Sequence, residues 1–153
     1  MRRSDREIKE FSDKISLLDR CDVIHLGLNG EKYPYVVPLN FGYEVIEDQV
    51  KLYIHGAKVG LKHDLIAKDP HVCVQADVFH RYEAVDDSVT ARYESLIGFG
   101  TIAEVCGEAA LHGLHLLMNH CGYPDVDVTG CAASGMTKVY CITLDALHGK
   151  RNI

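Results

Sequence analysis

The sequence lacks several features that identify whole classes of protein. It has no tryptophan, only four prolines and no C-x-x-C pair among its six cysteines, so neither a zinc ribbon nor a thioredoxin-like motif is indicated. Its apolar runs end after a few residues, whereas a membrane-spanning helix needs about 20. Lysine and arginine alternate with acidic residues and form no basic stripe, which argues against nucleic acid as a partner.

The composition is that of a single folded domain. Of the 153 residues, 47% are apolar and 25% are charged, with a formal net charge of −6. That apolar share can supply a packed core, and the length suits one domain covering residues 1–153. No apolar segment follows the basic residues near the N-terminus, so we expect no secretory signal, no membrane association and a cytoplasmic protein. The cysteines are then expected to behave as small buried side chains.

Local patterns in the first third of the chain predict a helix and a hairpin. A capping box followed by apolar residues three and four positions apart predicts a helix over 5–19. The pair Asn29-Gly30 favours a type I′ turn between strands at 23–28 and 35–43. Pro38 has no N–H to donate, so the second strand must be bulged or must lie at a sheet edge.

The rest of the chain is also dominated by strands. Strands and helices do not alternate regularly, which excludes a doubly wound parallel sheet. The sequence therefore predicts a mainly β protein, an antiparallel barrel with peripheral helices. The remaining predicted elements are strands at 51–55, 72–78, 91–105 and 139–144, helices at 61–68 and 108–121, and a loop at 123–135.

The segment 55–62 has the residues of an anion site. Gly56 and Gly60 flank a short loop between a strand and a helix, and Lys58 and Lys62 lie close by. Free N–H groups at a helix start, the helix dipole and two lysines together favour an anion, most simply a phosphate. The segment is neither a Walker A loop nor a G-x-G-x-x-G motif. A solvated turn with surface lysines has the same spacing, so spacing alone leaves both interpretations open.

The strand that contains Pro38 is a second candidate. An apolar strand with a proline leaves backbone C=O and N–H groups free for something other than a neighbouring strand. A flat heteroaromatic ring could use these groups along its edge. Taken in isolation, an ordinary edge strand is the simpler explanation.

Together these segments resemble the pyridoxamine 5′-phosphate oxidase-like flavoproteins and, within them, the nitroimidazole-resistance branch. The resemblance extends over about residues 2–152. It is carried by Tyr33–Tyr43, Leu52–Lys62, Pro70–Cys73, Tyr93–Thr101 and Gly149–Asn152.

The resemblance implies a six-stranded split β-barrel that binds FMN and forms a homodimer with the cofactor at the interface. The isoalloxazine edge would be lined by the backbone of Val37, Pro38, Leu39, Asn40 and Phe41. The ribityl phosphate would be held by His55, Gly56, Ala57, Gly60 and Lys62, with Lys58 as a further contact. Ser95, Leu96 and Ile97 would lie close to the cofactor.

The implied activity is a flavin-dependent reduction of small nitroaromatic compounds such as 5-nitroimidazoles. The cofactor then carries the redox chemistry, and the protein binds and orients it. His55 could donate a proton, because imidazole titrates near neutral pH, although binding phosphate or backbone is its simpler role. Two alternatives stay open: a flavin-binding module without turnover, and a split-barrel relative that uses heme or a deazaflavin.

Two other chemistries are not expected. Val37-Pro38-Leu39 replaces the basic strand residue of true pyridoxamine phosphate oxidases, and His55 replaces their hydroxyl side chain, which argues against pyridoxal phosphate synthesis. His112 and His115 share a helix face, but no third ligand is evident, so no metal site is predicted.

Overall fold

The computed structural model of the chain describes residues 3–130 and 137–153. None of the helices in these two ranges is long and apolar enough to cross a membrane. A 3-10 turn at Ser4–Arg6 precedes the first strand. The helices are α1 (Phe11–Asp19), α2 (Leu61–Lys68) and α3 (Gly107–His120). The strands are β1 (Glu7–Ile8), β2 (Ile24–Leu28), β3 (Tyr35–Leu39), β4 (Gly42–Ile46), β5 (Gln49–Ala57), β6 (His71–Val85), β7 (Ser88–Val105) and β8 (Thr137–Asn152).

The strand order shows that the sheet is rolled into a split barrel. The antiparallel order is β3-β2-β6-β7-β8-β5-β4, and β1 adds to β8. β3 and β4 stand at opposite ends of this order, yet only Asn40 and Phe41 join them along the chain. Because two residues span only a few ångströms, the two ends of the sheet must meet. The predicted mainly β, split-barrel fold is confirmed, and the β3/β4 junction is its seam.

The expected number of six strands is wrong, since the described residues form eight. The predicted strand at 35–43 breaks at Asn40 and Phe41, where the chain leaves its partner β2 and joins β5. The helix expected over 5–19 begins only at Phe11, because residues 7 and 8 pair with β8 instead. Ile8 is 1% exposed, so burying this side chain favours the strand over the local helix pattern.

The expected type I′ turn at Asn29-Gly30 is also wrong. Neither residue has a positive φ, and a six-residue connection at 29–34 separates β2 from β3. The side-chain amide of Asn29 instead donates to Asp69 Oδ2 at 2.9 Å. A tight turn of the expected kind lies between β4 and β5, where Glu47 and Asp48 have φ values of 50° and 64°.

Several local predictions are confirmed. The helix at 61–68 matches α2, and Pro38 lies in β3, an edge strand. β6, β7 and β8 all extend beyond their predicted limits, because they pair with one another over long stretches. Part of the loop expected at 123–135 falls on residues 131–136, outside the described residues.

The core fills the barrel, and α2 and α3 close it from two sides. The barrel interior contains Leu26, Phe41, Leu52, Ile54 and Ile142, all 0% exposed. α2 adds Leu65 and Ile66 to this cluster. α3 covers the outer face of β4 and β5, where Gly42 and Gly113 allow the helix backbone and the Tyr53 ring to approach closely.

Candidate functional site

The seam leaves two strand edges open to an approaching molecule. β4 pairs with β5 only as far as Tyr53, so residues 54–57 have β8 on one side and no described strand on the other. β3 likewise pairs only with β2. Gly42 pairs with Tyr53, and the two strands are antiparallel, so Asn40 lies opposite His55. Asn40 is also the residue at which β3 and β4 separate. Free backbone donors and acceptors of both edges therefore border the same opening.

The start of α2 lies next to this opening and is shaped by Gly60. This residue has φ 139° and ψ 162°, a conformation open essentially to glycine alone. No side chain caps the helix, and the N–H of His63 bonds to the carbonyl of Gly60 at 3.0 Å. The N–H groups of Leu61 and Lys62 precede that first bond and have no partner within the helix. They are available to an anion.

The side chain of Lys62 lies directly over the backbone of Gly56. A Cβ added to Gly56 would come within 2.7 Å of Lys62 Nζ, so the ammonium lies close to this backbone and would have to shift if residue 56 had a side chain. Burial lowers the pKa of Lys62. Among the described residues, the lysines with a carboxylate partner are Lys68 and Lys138, and Lys62 has none. A partly desolvated cation without a counter-ion is suited to receive an anionic ligand.

His55, Ala57 and Lys58 belong to the same turn but do not all face Lys62. His55 pairs with Val139 and, by strand alternation, faces away from Ile54 and Gly56. The His55 residue is exposed at the surface, and partial desolvation, and then the charge of Lys62, lower the pKa of its ring. Ala57 pairs with Thr137, while Lys58 is exposed. Residues 55–62 thus form one strand-loop-helix turn, in which Lys62 lies over Gly56 and the His55 side chain lies on the opposite face of β5.

Two residues that the sequence did not single out hold α2 in place. His63 Nδ1 and Tyr140 Oη are 2.7 Å apart, and the two rings stack at 5.6 Å between centroids. Burial and the charge of Lys62 lower the pKa of His63, and the nearby backbone of Ala57 partly offsets this. Tyr140 is 3% exposed and belongs to the barrel core. These contacts hold the first turn of α2 against β5 and β8. The local sequence around His63 could not predict them, because Tyr140 is 77 residues away along the chain.

The five residues predicted to line a flat ring border the seam in different ways. Val37 and Leu39 are half-buried against the core, and Pro38 is exposed at the free edge. The side-chain amide of Asn40 donates to the carbonyl of Asp22 at 3.1 Å. Phe41 is fully buried, with its ring 4.4 Å from that of His120, so only its backbone could contact a ligand.

The third predicted group, Ser95 to Ile97, lies far from Lys62 along the strands of the same chain. Ser95 pairs with Lys150 near the end of β8, whereas His55 pairs with Val139 near its start. At about 3.3 Å per residue, this separation is on the order of 30 Å along the strand. Leu96 is buried in the core and Ile97 is 43% exposed. A single copy of the chain does not bring this group to the phosphate residues.

The chain matches one protein family by sequence and several solved structures by fold. A family model described as pyridoxamine 5′-phosphate oxidase matches residues 12–151. A candidate 5-nitroimidazole antibiotic resistance protein of Bacteroides thetaiotaomicron is 27% identical with a TM-score of 0.82, over 94% of this chain and 85% of that one. No curated protein matches the chain.

Two more distant solved structures share the fold. A flavocytochrome of Azotobacter vinelandii is 16% identical with a TM-score of 0.79, over 100% of this chain and 72% of that one. An FAD- and heme-binding protein of Mycobacterium smegmatis is 19% identical with a TM-score of 0.79, over 96% of this chain and 73% of that one.

Proposed function

The chain belongs to the pyridoxamine 5′-phosphate oxidase family, and on that basis we propose that it is an FMN-dependent oxidoreductase. One observation carries the choice of cofactor site. The Lys62 ammonium lies over the bare backbone of Gly56, without a carboxylate partner in the described chain, at the start of α2. A phosphate ester is an anion of the right size and charge for this place.

The other site residues fit the remainder of the cofactor. The N–H groups of Leu61 and Lys62 can donate to phosphate oxygens, and His55, at the open edge of β5, can donate to the cofactor through a ring nitrogen. The open edge of β3 offers carbonyl and N–H groups to the rim of a flat ring. When bound, FMN would supply the electron transfer, and these residues would bind and orient it.

We infer that the substrate is a small nitroaromatic compound such as a 5-nitroimidazole. Likeness to the Bacteroides thetaiotaomicron protein supports this class. So does the apolar character of the seam, where Val37, Pro38 and Leu39 provide contacts for an uncharged ring. A phosphorylated substrate would need further cations on β3, and this strand has none. Pyridoxal phosphate synthesis is therefore not proposed.

We further propose that two copies form a homodimer with the cofactor at their interface. The outer face of the sheet exposes Val36, Ile97 and Phe99 by 59%, 43% and 49%. Across the strands, Phe99 pairs with Cys73, and Gly27 pairs with both Val36 and Cys73. These side chains form an apolar row, which His25 and Gln75 border on the same face. Such a patch on a small domain marks an interaction surface. A partner would also allow Ser95–Ile97 of one subunit to approach the seam of the other.

The decisive experiment is to purify the protein, record its absorbance and identify any released flavin. We expect FMN bands that dithionite bleaches, and 5-nitroimidazole-dependent oxidation of NADH or NADPH by the loaded protein. Bound FMN without turnover of any nitroaromatic would favour a flavin-binding module. A Soret band would favour a heme-binding relative. A protein that stays colourless after incubation with excess FMN would refute the proposed cofactor site.

A further inference from the structure

The β6–β7 hairpin extends well beyond the barrel. β2 pairs with β6 only as far as Gln75, and β8 pairs with β7 only as far as Tyr93. Beyond these points, residues 79–92 pair almost entirely with one another, around a turn at Asp86 and Asp87. We call residues 79–92 the arm. A two-stranded hairpin is at best marginally stable in water by itself, so an arm of this length needs support on at least one face.

One face of the arm is apolar, and the register defines its members. Tyr82 pairs with Ala91, and Ala84 pairs with Val89, so these four side chains share a face. Phe79 joins them, with its ring centroid 5.0 Å from that of Tyr82. Phe79, Tyr82 and Val89 are 53%, 73% and 67% exposed. Within the described residues, nothing covers this face.

Apart from Val85 next to the turn, the opposite face of the arm is polar, and several of its side chains already have partners. Arg92 and Arg81 both form ion pairs with Glu83. The side-chain amide of Asn152 donates to Thr90 Oγ1 at 3.2 Å. The polar face is thus attached to the C-terminal strand of the same chain, while the apolar face points away from the molecule. This division is typical of a ribbon that has one face in water and one in an interface.

The apolar face of the arm continues the outer face of the barrel. Tyr93, Ile97 and Phe99 lie on the same side of β7 as Val89, and the polar pair Asp77 and Ser95 separates Tyr93 from Ile97. At roughly 200 Å² per aromatic side chain, Phe79, Tyr82 and Phe99 alone leave about 350 Å² exposed. A stable interface needs about 800 Å² per partner, and the two arm rings, Phe79 and Tyr82, provide about 250 Å² of it at this area per ring.

We propose that the arm docks on a second copy of this chain and extends the dimer interface beyond the barrel. The inference rests on the homodimer of the proposed function, because the arm's apolar face and the proposed interface lie on the same side of β6 and β7. A two-fold axis uses the same patch on both copies, so each arm buries its face against the partner.

Two neighbouring residues provide a matched test. Val89 and Ser88 are adjacent in β7 and face opposite sides of the arm. Val89→Glu and Tyr82→Glu place a charge on the apolar face, and Ser88→Glu places the same charge on the polar face. The dimer dissociation constant is measured by analytical ultracentrifugation over a concentration series, with flavin content and thermal unfolding recorded for each variant. We expect the first two substitutions to raise the dissociation constant at least about tenfold and Ser88→Glu to change it less than about twofold.

The outcomes separate this inference from the proposed function. A wild-type protein that is monomeric at all concentrations overturns the inference, and so do equal dissociation constants for Val89→Glu and Ser88→Glu. A flavin-loaded dimer that tolerates Val89→Glu leaves the proposed function intact and refutes only the arm contact. A dimer that binds no flavin but is weakened by Val89→Glu supports the arm contact and refutes the proposed function. Should the glutamate variants unfold, Val89→Thr keeps the branched shape, and a dissociation constant unchanged by Val89→Thr would overturn the inference.

Discussion

Replacing Lys62 with methionine removes the charge of the proposed phosphate site and retains much of its apolar stem. The Lys62 ammonium lies over Gly56 and has no carboxylate partner among the described residues, so the substitution leaves no orphaned acid behind. A hydrogen bond to a charged group contributes about 1.5–3 kcal/mol. We therefore expect the dissociation constant for FMN to rise about 10- to 100-fold. Lys62→Glu should abolish FMN retention, because it adds repulsion to the loss of that bond.

The assay is a fluorescence titration of flavin-free protein with FMN and, separately, with riboflavin. Riboflavin has the same ring and no phosphate, so Lys62→Met should leave its affinity nearly unchanged. Lys9→Met is the control, since it removes an equal charge from an exposed side chain near the other end of β8. We expect its effect on FMN to stay within about threefold. An unchanged FMN affinity for Lys62→Met, or an equal loss for FMN and riboflavin, would refute the phosphate assignment.

Two further predictions concern stability. Gly60→Ala places a Cβ on a residue with φ 139°. We expect the free energy of unfolding, measured in urea, to fall by about 1–3 kcal/mol, and FMN binding to weaken. An unchanged free energy of unfolding would contradict the role of Gly60. Glu94 is a buried carboxylate, 2.8 Å from Arg20 and 3.1 Å from His80. Burial raises the pKa of Glu94, but the bonds from Arg20 and His80 outweigh it, so the pKa lies below its ordinary value of 4.5. The stability that Glu94 provides is therefore present above pH 4.5 and is lost as the pH falls below it. Glu94→Gln should lower the free energy of unfolding in urea by about 1–3 kcal/mol at pH 7. The variant should also lose less stability than the wild type when the pH is lowered.

Local chemistry explains which elements could be predicted. The bounds of α2 follow from its flanking residues, since Gly60 precedes it and Asp69-Pro70 follows it. The edge position of β3 follows from the missing N–H of Pro38. In both cases a single residue restricts its own backbone, whatever the rest of the chain does.

Long-range pairing explains the errors. Residues 7 and 8 have a helical pattern, but burial of Ile8 against Gly149 in β8 decides their conformation. The break at Asn40 and Phe41 is equally invisible in sequence, because an apolar strand pattern continues through it. It arises where β4 finds β5 as a partner and the barrel has to close.

The sequence by itself determined the composition of the candidate phosphate site, because its residues lie within eight positions and a strand-loop-helix turn brings them together without outside help. Only the tertiary structure decided how that turn is held. The contact of His63 with Tyr140 holds the turn and joins residues remote in the chain. The ion pair of Glu94 with Arg20 is likewise formed between distant residues elsewhere in the barrel, as is its contact with His80. The distance of Ser95 from Lys62 and the exposed face of the arm likewise depend on how the barrel closes. Such relations depend on the balance between burial and chain entropy over the whole domain, which no local segment specifies.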